Sequence, residues 1–394
     1  MKQVQLRPGR TASLDRHHPW VFSRALTHTG GLVAGDIVEV LDAKGAFMAR
    51  GYFEEGSIAI RLLTFDQNES IDHSFWVSKL QNALEVRKGL GLALHPHEAY
   101  RLVYGEGDGL PGLVIDIYGA VAVLQAHTVT IHTLRREIAE SLKEVVEGLS
   151  AIYYKSSDTL PIAERVLDEV LWGSLQSIEE ISAEENGIKF YPDILKGQKT
   201  GFFLDQRLNR QRVGELSRGR RVLNMFCYTG GFSLYALRGN ADSVVSVDTS
   251  AKAIQMLENN LRLNFSDEVL AHHNAIVQDA FQYLYDMEYG AFDLIVLDPP
   301  AFAKRREVVK NGLQGYRKLN TEAMKKIAHG GLLFTFSCSQ VVGVDEFRQA
   351  LFTSALQAHR EVRILQQFGQ FADHPVSIYH PEGEYLKGFL LFVS

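Results

Sequence analysis

The chain changes its hydrophobic period twice. Up to about residue 68 apolar and polar positions alternate in short runs, at Gln3–Arg7, Gly35–Val40, Ala46–Phe53 and Ile58–Leu63. Asp42-Ala43-Lys44-Gly45 separates two of these runs as a turn. A two-residue period broken by glycine turns predicts a small β-barrel. From Ser74 to Leu90 the period lengthens, with Trp76, Val77, Leu80, Ala83 and Leu84 on one helical face. Strand-like runs follow at Arg101–Tyr104, Leu113–Tyr118, Ala120–Gln125 and Ala151–Lys155, with a helix over Thr130–Glu147. This region reads as an α+β domain. Its glycine-rich turn Gly105–Gly112 is either a wall of the active cleft or a tight connection. From about residue 186, after a strand at Gly187–Tyr191, apolar runs alternate with helical spacing: Val222–Phe226, Ser243–Val247, a weak third strand ending at Asp279, Phe292–Leu297, Gly331–Ser337, Arg363–Phe368 and Gly388–Val393. Such runs predict buried strands of a doubly wound, mostly parallel sheet.

The stretch Arg221–Asp248 organises this last region. It reads strand, turn (Tyr228-Thr229-Gly230-Gly231), helix (Phe232–Arg238), strand, acid. Glycines let backbone approach a ligand, and an acid ending the second strand can accept from both ribose hydroxyls. A dinucleotide site needs a tight G-x-G-x-x-G. Here Asn224, Phe226 and Tyr228 occupy the turn, leaving only Gly230 and Gly231, and no phosphate-loop lysine is present. That suits an adenosine ligand without phosphate, of which S-adenosylmethionine is the common case; any doubly wound βαβ unit is the plain alternative. Ser250 can cap the next helix.

Polar groups at strand ends supply the candidate chemistry, because active sites of open α/β sheets lie at the carboxyl ends of their strands. Asp248, Asp279, Asp298 and Cys338 all fall there. Asp248 would hold the ribose and Asp279 the adenine amino group. In Asp298-Pro299-Pro300-Ala301-Phe302 the prolines fix an extended turn, Asp298 can bond the edge of a base, and Phe302 offers a stacking face. Cys338 is either a small buried hydrophobe or a nucleophile. A thiolate adding to carbon 6 of a pyrimidine activates carbon 5, otherwise a poor nucleophile. Lys304, Arg305, Arg306, Lys310, Arg317, Lys318, Lys325 and Lys326 follow the Asp298 turn, as RNA contacts or as a solvated helix face. Asn311–Gly315 reads as a glycine-bearing loop able to move while a target base is swung out of its stack.

Composition narrows the setting. A chain of 394 residues has room for two or three domains. With net charge −6, any nucleic-acid contact needs a local basic face. Two cysteines, Cys227 and Cys338, build neither a disulfide framework nor a cysteine zinc site. His17-His18 lacks a third ligand nearby in sequence, so no metal is expected. The first residues form no apolar leader segment, and no apolar run is long enough to span a bilayer. These features point to a cytoplasmic protein without membrane association.

Gly35–Val40, the Gly45 hairpin and Gly51-Tyr52-Phe53 resemble a PUA domain, a small RNA-binding barrel. Over nearly its whole length the chain resembles bacterial 23S ribosomal RNA cytosine-5 methyltransferases of the RlmI type. The likeness runs through His18-Pro19-Trp20-Val21-Phe22-Ser23, Gly105-Glu106 with Asp108–Leu113, Lys199–Arg207, Phe226–Phe232, Asp298-Pro299-Pro300, Gly315-Tyr316, Phe336-Ser337-Cys338-Ser339, Asp373-His374-Pro375 and Tyr385-Leu386-Lys387-Gly388. It implies a multidomain α/β protein with a PUA-like barrel at 1–68, a middle α+β domain at 69–185, and a Rossmann-like class I methyltransferase domain with a seven-stranded, mostly parallel sheet at 186–394. It implies S-adenosylmethionine as cofactor, held by Asp205, Arg207, Asn224, Phe226, Tyr228, Gly230, Asp248, Asp279, Ala280 and Asp298. It implies Cys338 and Asp298 as catalytic residues, and Pro299, Pro300, Phe302, Lys304, Arg305 and Arg317 as substrate contacts. The implied partner is 23S ribosomal RNA or a large-subunit precursor, with a homodimer open. Many RNA cytosine-5 methyltransferases carry a second cysteine where this chain has Ala301, so the base that takes the carbon-5 proton is unassigned. Cys227 reads as packing. The rival readings are methylation of a base nitrogen and a non-catalytic RNA-binding assembly factor.

Overall fold

The computed structural model describes residues 1–160 and 166–394. Its chain folds as two compact units. The first holds Met1–Glu184, Pro192–Leu204 and Ala372–Gly383; the second holds Glu185–Tyr191, Asp205–Phe371 and Glu384–Ser394. These units are drawn differently from the three spans expected from sequence. The barrel and middle regions share one unit, and two stretches within 186–394 belong to it.

The first unit contains two five-stranded sheets. In the first, the order is Lys2–Gln5, Ile37–Leu41, Phe47–Phe53, Ile58–Thr64, Trp20–Phe22. A bridge between Leu6 and Leu26 joins the ends beyond its edge strands. Val4, Leu6, Val21, Val38, Val40, Ala49, Ile60 and Leu62 fill the interior, which is the inward half of the alternation. The second sheet runs Glu169–Gly173, Ala151–Tyr154, Val121–Ala126, Leu113–Tyr118, Ala99–Tyr104. Helices His73–Gly89 and Val129–Val145 pack on each other. Asp72 and Thr128 cap them by accepting from Phe75 N and Ile131 N. The Gly105–Gly112 turn is tied within this unit: the buried Arg87 guanidinium grips the Asp108 carboxylate, and Tyr104 N donates to it at 2.6 Å.

A seven-stranded sheet forms the second unit, in the order His273–Val277, Ser243–Asp248, Arg221–Met225, Leu294–Leu297, Gly331–Ser337, Lys387–Val393, Val362–Phe368. Its first five strands pair in parallel. Lys387–Val393 runs antiparallel to both neighbours. Two apolar clusters, one around Leu223, Met225, Ile295 and Leu333 and one around Val222, Val244, Val296 and Phe334, cover the two sheet faces. Burial on both faces explains the uninterrupted apolar runs. Arg221–Met225 has the second strand on one side and the fourth on the other, so strand order reverses there. Crevices open at the carboxyl ends of strands at such switch points.

Asn311–Gly315 departs from expectation. It lies inside one helix, Val309–Lys326. Leu313, Tyr316, Leu319 and Ala323 recur at helical spacing and face the core. A Cβ on Gly312 would sit 2.7 Å from the Ala303 Cβ. The glycine serves a close helix–loop approach, not a hinge.

Candidate functional site

The turn after Arg221–Met225 is built on left-handed backbone. Phe226, Tyr228 and Gly230 have φ of 57°, 47° and 88°. Two non-glycine residues in that region mark a strained turn, a state that persists only where surroundings enforce it. The enforcing bonds are Cys227 N to Val247 O at 3.1 Å and Gly230 N to Cys227 O at 2.8 Å. Asn260 Nδ2 donates to Thr229 O at 3.0 Å. A Cβ on Gly230 would meet Leu257 Cγ at 2.7 Å. Gly230→Ala therefore combines positive-φ strain with a clash, and is expected to cost about 2–3 kcal/mol of stability, read as a shifted midpoint in denaturant titration.

Asp248 ends the second strand. Its Oδ2 accepts from Tyr228 N and its Oδ1 from Ser250 N, both at 2.9 Å. One carboxylate thus ties the cofactor turn to the start of helix Ala251–Arg262, which Ser250 caps through Ala253 N at 3.2 Å. An ionised carboxylate has about four acceptor sites, so a partly exposed Asp248 retains capacity for ribose hydroxyls. Asn224 is buried; its Nδ2 donates to Ser233 Oγ at 2.8 Å, while its Oδ1 has no protein partner. The Thr229 hydroxyl is likewise buried and unpartnered. Orphaned polar atoms, a strained turn and a carboxylate with free lone pairs fit an adenosine-bearing cofactor. Asp279 is exposed and caps helix Ala280–Asp286 by accepting from Gln282 N at 3.0 Å; Ala280 is buried behind it.

Asp205 and Arg207 sit in a buried network. Asp205 accepts from the Tyr385 hydroxyl. Arg207 Nε lies 3.6 Å from Glu185 Oε2, and its guanidinium stacks over Phe371 at 5.4 Å. Neither side chain is presented openly to a ligand.

Beside the turn, the fourth and fifth strands end in Asp298-Pro299-Pro300 and Ser337-Cys338-Ser339. Cys338 is partly exposed, and its Sγ lies 3.8 Å from Pro299 O. The two loops are joined through Ser339. Its Oγ accepts from Ala303 N at 3.2 Å and pairs with the Tyr316 hydroxyl at 2.8 Å. Lys387 Nζ donates to Ser339 O at 2.6 Å. Tyr316, Ser339 and Lys387 fall inside the motifs that carry the family resemblance, where the sequence alone assigns them no role. Phe302 packs against Tyr316, with ring centroids 4.7 Å apart, so one face of its ring is already covered. Pro300, Lys304 and Arg305 are exposed and Pro299 is buried. Arg317 lines a cavity of about 450 Å³ with Gln314, Lys318 and Lys325. Cys227 is buried, and burial pushes its thiol well above the usual range. It is suited to packing.

The first unit brings together what the histidine pair lacked in sequence. His380 and Glu382 join His18, with ligand atoms within 4.8 Å of one another. Neither ring nitrogen of the buried His380 makes a hydrogen bond, and its Nε2 lies 3.8 Å from Glu382 Oε2. However, His18 Nδ1 accepts from Trp20 N at 3.1 Å. That places the neutral-ring proton on Nε2, the atom facing Glu382 at 3.7 Å. A metal-bound histidine normally donates its other ring N–H, the reverse of this arrangement.

Comparison with known proteins matches two stretches of the chain to known domain families and nearly its whole length to known relatives. A profile described as S-adenosylmethionine-dependent methyltransferase matches residues 157–375, and one described as a PUA-like domain matches 4–65. "Ribosomal RNA large subunit methyltransferase I" of Shewanella denitrificans is 40% identical, covering 98% of each chain. The protein of the same name from Photobacterium profundum is 40% identical over 99% of each. In fold, the chain is similar over its whole length to a protein from Streptococcus mutans described as a SAM-dependent methyltransferase, with TM-score 0.84 and 22% identity. A methyltransferase structure complexed with SAH superposes with TM-score 0.85 at 23% identity, again over both whole chains. Among the described residues no helix is long and apolar enough to cross a membrane. A strained, acid-tied turn at the switch point of this sheet, and relatives matched end to end, place the chain in the ribosomal RNA large subunit methyltransferase I family of S-adenosylmethionine-dependent methyltransferases.

Proposed function

We propose that this protein forms 5-methylcytosine in 23S ribosomal RNA, with Cys338 as nucleophile. The reading rests on one observation above others: a partly exposed thiol at the end of the fifth strand, 3.8 Å from the Pro299 carbonyl of the Asp298 turn. The ribosomal substrate is carried by the relatives' names.

S-adenosylmethionine supplies an electrophilic methyl group. The Cys338 thiolate adds to carbon 6 of the cytosine, making an S–C bond and moving an electron pair toward carbon 5. Carbon 5 then takes the methyl group, and the broken S–CH3 bond leaves its electron pair on the donor's sulfur; when the carbon-5 proton has left, the bond to Cys338 breaks and the thiolate departs. Asp298 bonds the base edge and polarises the ring, and Pro299 and Pro300 hold the base plane. Asn224, Phe226, Tyr228, Gly230, Asp248, Asp279 and Ala280 surround the cofactor. Lys304, Arg305 and Arg317 engage phosphates, with affinity that falls as salt rises. The barrel at 1–68 binds RNA.

Labelled methyl donor, large-subunit RNA and nucleoside analysis test the reading. The expected product is labelled 5-methylcytosine; label on a ring or amino nitrogen would overturn it. Asp248→Ala removes a charged acceptor for both the turn and the ribose. The dissociation constant for S-adenosylmethionine is expected to rise about 10- to 100-fold, the scale of losing a charge-assisted hydrogen bond, read by calorimetric titration.

A further inference from the structure

Lys387 is a lysine where lysines are rare. It opens the Lys387–Val393 strand, paired directly with Ser337 of the neighbouring strand, and is 4% exposed. Its Nζ donates to two carbonyls, Ser339 O at 2.6 Å and Tyr385 O at 2.7 Å. Cys338 lies between the residue it pairs with and the residue it bonds. The charges of Lys387 and Cys338 are within electrostatic reach of each other. Ser339 is gripped a second time at its hydroxyl by Tyr316 and Ala303. Buried charged groups are kept only where they are paired and hydrogen-bonded. An ammonium has three N–H groups, and two are spent on these carbonyls.

We infer that Lys387 is a positioning residue for Cys338: it clamps the backbone just beyond the sulfur and supplies the positive charge that favours the thiolate. The inference rests on the proposed nucleophilic role of Cys338. Burial draws the Lys387 pKa down to about 8, opposed by Cys338, Glu384 and Glu346. The side chain is therefore an ammonium through neutral pH and loses its charge above about 8. The Tyr316 hydroxyl pairs with Ser339 Oγ next to the thiol's residue, and burial pushes it up, so it stays neutral there. Asp298 stands on the adjacent strand end. When the thiol ionises its proton goes to solvent and Lys387 keeps its own, leaving a neutral pair.

The test is the pH profile of Cys338 alkylation by iodoacetamide in the full chain, without RNA or methyl donor. The reaction forms an S–C bond and releases iodide; peptide mass spectrometry assigns the site, and Cys338→Ser gives the Cys227 background. In the wild type the half-point is expected about one pH unit below the ordinary thiol value of about 8.5. Lys387→Met is expected to raise it by about one unit, slowing alkylation roughly tenfold at neutral pH. Lys387→Arg is expected to restore most of the shift. A wild-type half-point at or above the ordinary value, or superimposable profiles for wild type and a folded Lys387→Met, overturns the inference. Should Lys387→Met melt out, the wild-type half-point and Lys387→Arg decide. Because no methyl transfer is measured, the nucleophile reading can fail, through an active Cys338→Ala, while the alkylation profile still depends on Lys387.

Discussion

Cys338→Ala is expected to abolish methyl transfer to large-subunit RNA, lowering the rate by at least roughly a thousandfold, the scale of losing a covalent nucleophile rather than one contact. The substitution removes one atom from a partly exposed position at a strand end. It leaves Ser339 and its bonds to Ala303 and Tyr316 in place, so the fold should survive. The cofactor turn, built on Asp248 and the backbone of residues 226–230, contains no atom of Cys338. S-adenosylmethionine affinity in the variant is therefore expected to match wild type, which separates loss of chemistry from loss of binding. Transfer of labelled methyl at the wild-type rate would sink the covalent mechanism and favour a base nitrogen at the Asp298 turn. RNA binding without any transfer by the wild type would favour the assembly-factor reading.

The parts of this site that could be read from sequence are those set by local pattern. Apolar runs fix the strands, and the residue after each run falls at its carboxyl end, so Asp248, Asp298 and Cys338 were legible as strand-end groups. What sequence order hides is which distant side chains meet. Lys387 and Tyr316 reach Ser339 only because the last strand inserts beside the fifth and a helix backs the Asp298 loop. His380 and Glu382 meet His18 across more than three hundred residues of chain. Glycine misled in both directions. Gly312 and Gly315 suggested a loop, yet they permit a helix to press on Ala303 and Phe302. Phe226 and Tyr228, without glycine's freedom, nonetheless take left-handed backbone. Asp205 and Arg207 were expected at the cofactor from the resemblance alone; their burial follows from partners, Tyr385, Glu185 and Phe371, that no local spacing reveals.

Glu185→Ala is expected to destabilise the protein by about 3–5 kcal/mol, the cost of stripping the partner from a buried cation. Glu185 is 1% exposed, and its carboxylate accepts from Arg210 Nε at 2.8 Å and Nη2 at 2.6 Å. The Tyr235 hydroxyl donates to it at 2.9 Å, and Arg207 Nε stands 3.6 Å away. Removing the carboxylate takes the Glu185 charge away from two buried guanidinium groups and leaves the Tyr235 hydroxyl only its longer bond, 3.3 Å, to the residue-185 carbonyl. Glu185→Gln keeps the shape but not the charge, and an amide cannot accept at both positions where the carboxylate does. It is expected to lose a comparable amount. The double variant Glu185→Leu with Arg210→Met removes both members of the tightest pair and should recover much of the loss, because a buried ion pair contributes little net stability over well-packed apolar groups. Arg207 keeps its charge in that variant but loses the Glu185 carboxylate, so recovery should be incomplete. Urea titration followed by tryptophan-independent circular dichroism reads all four proteins. A single variant within 1 kcal/mol of wild type, on the scale of surface substitutions, would mean that the Arg207–Arg210–Glu185 network is not the closed, dry cluster its distances describe.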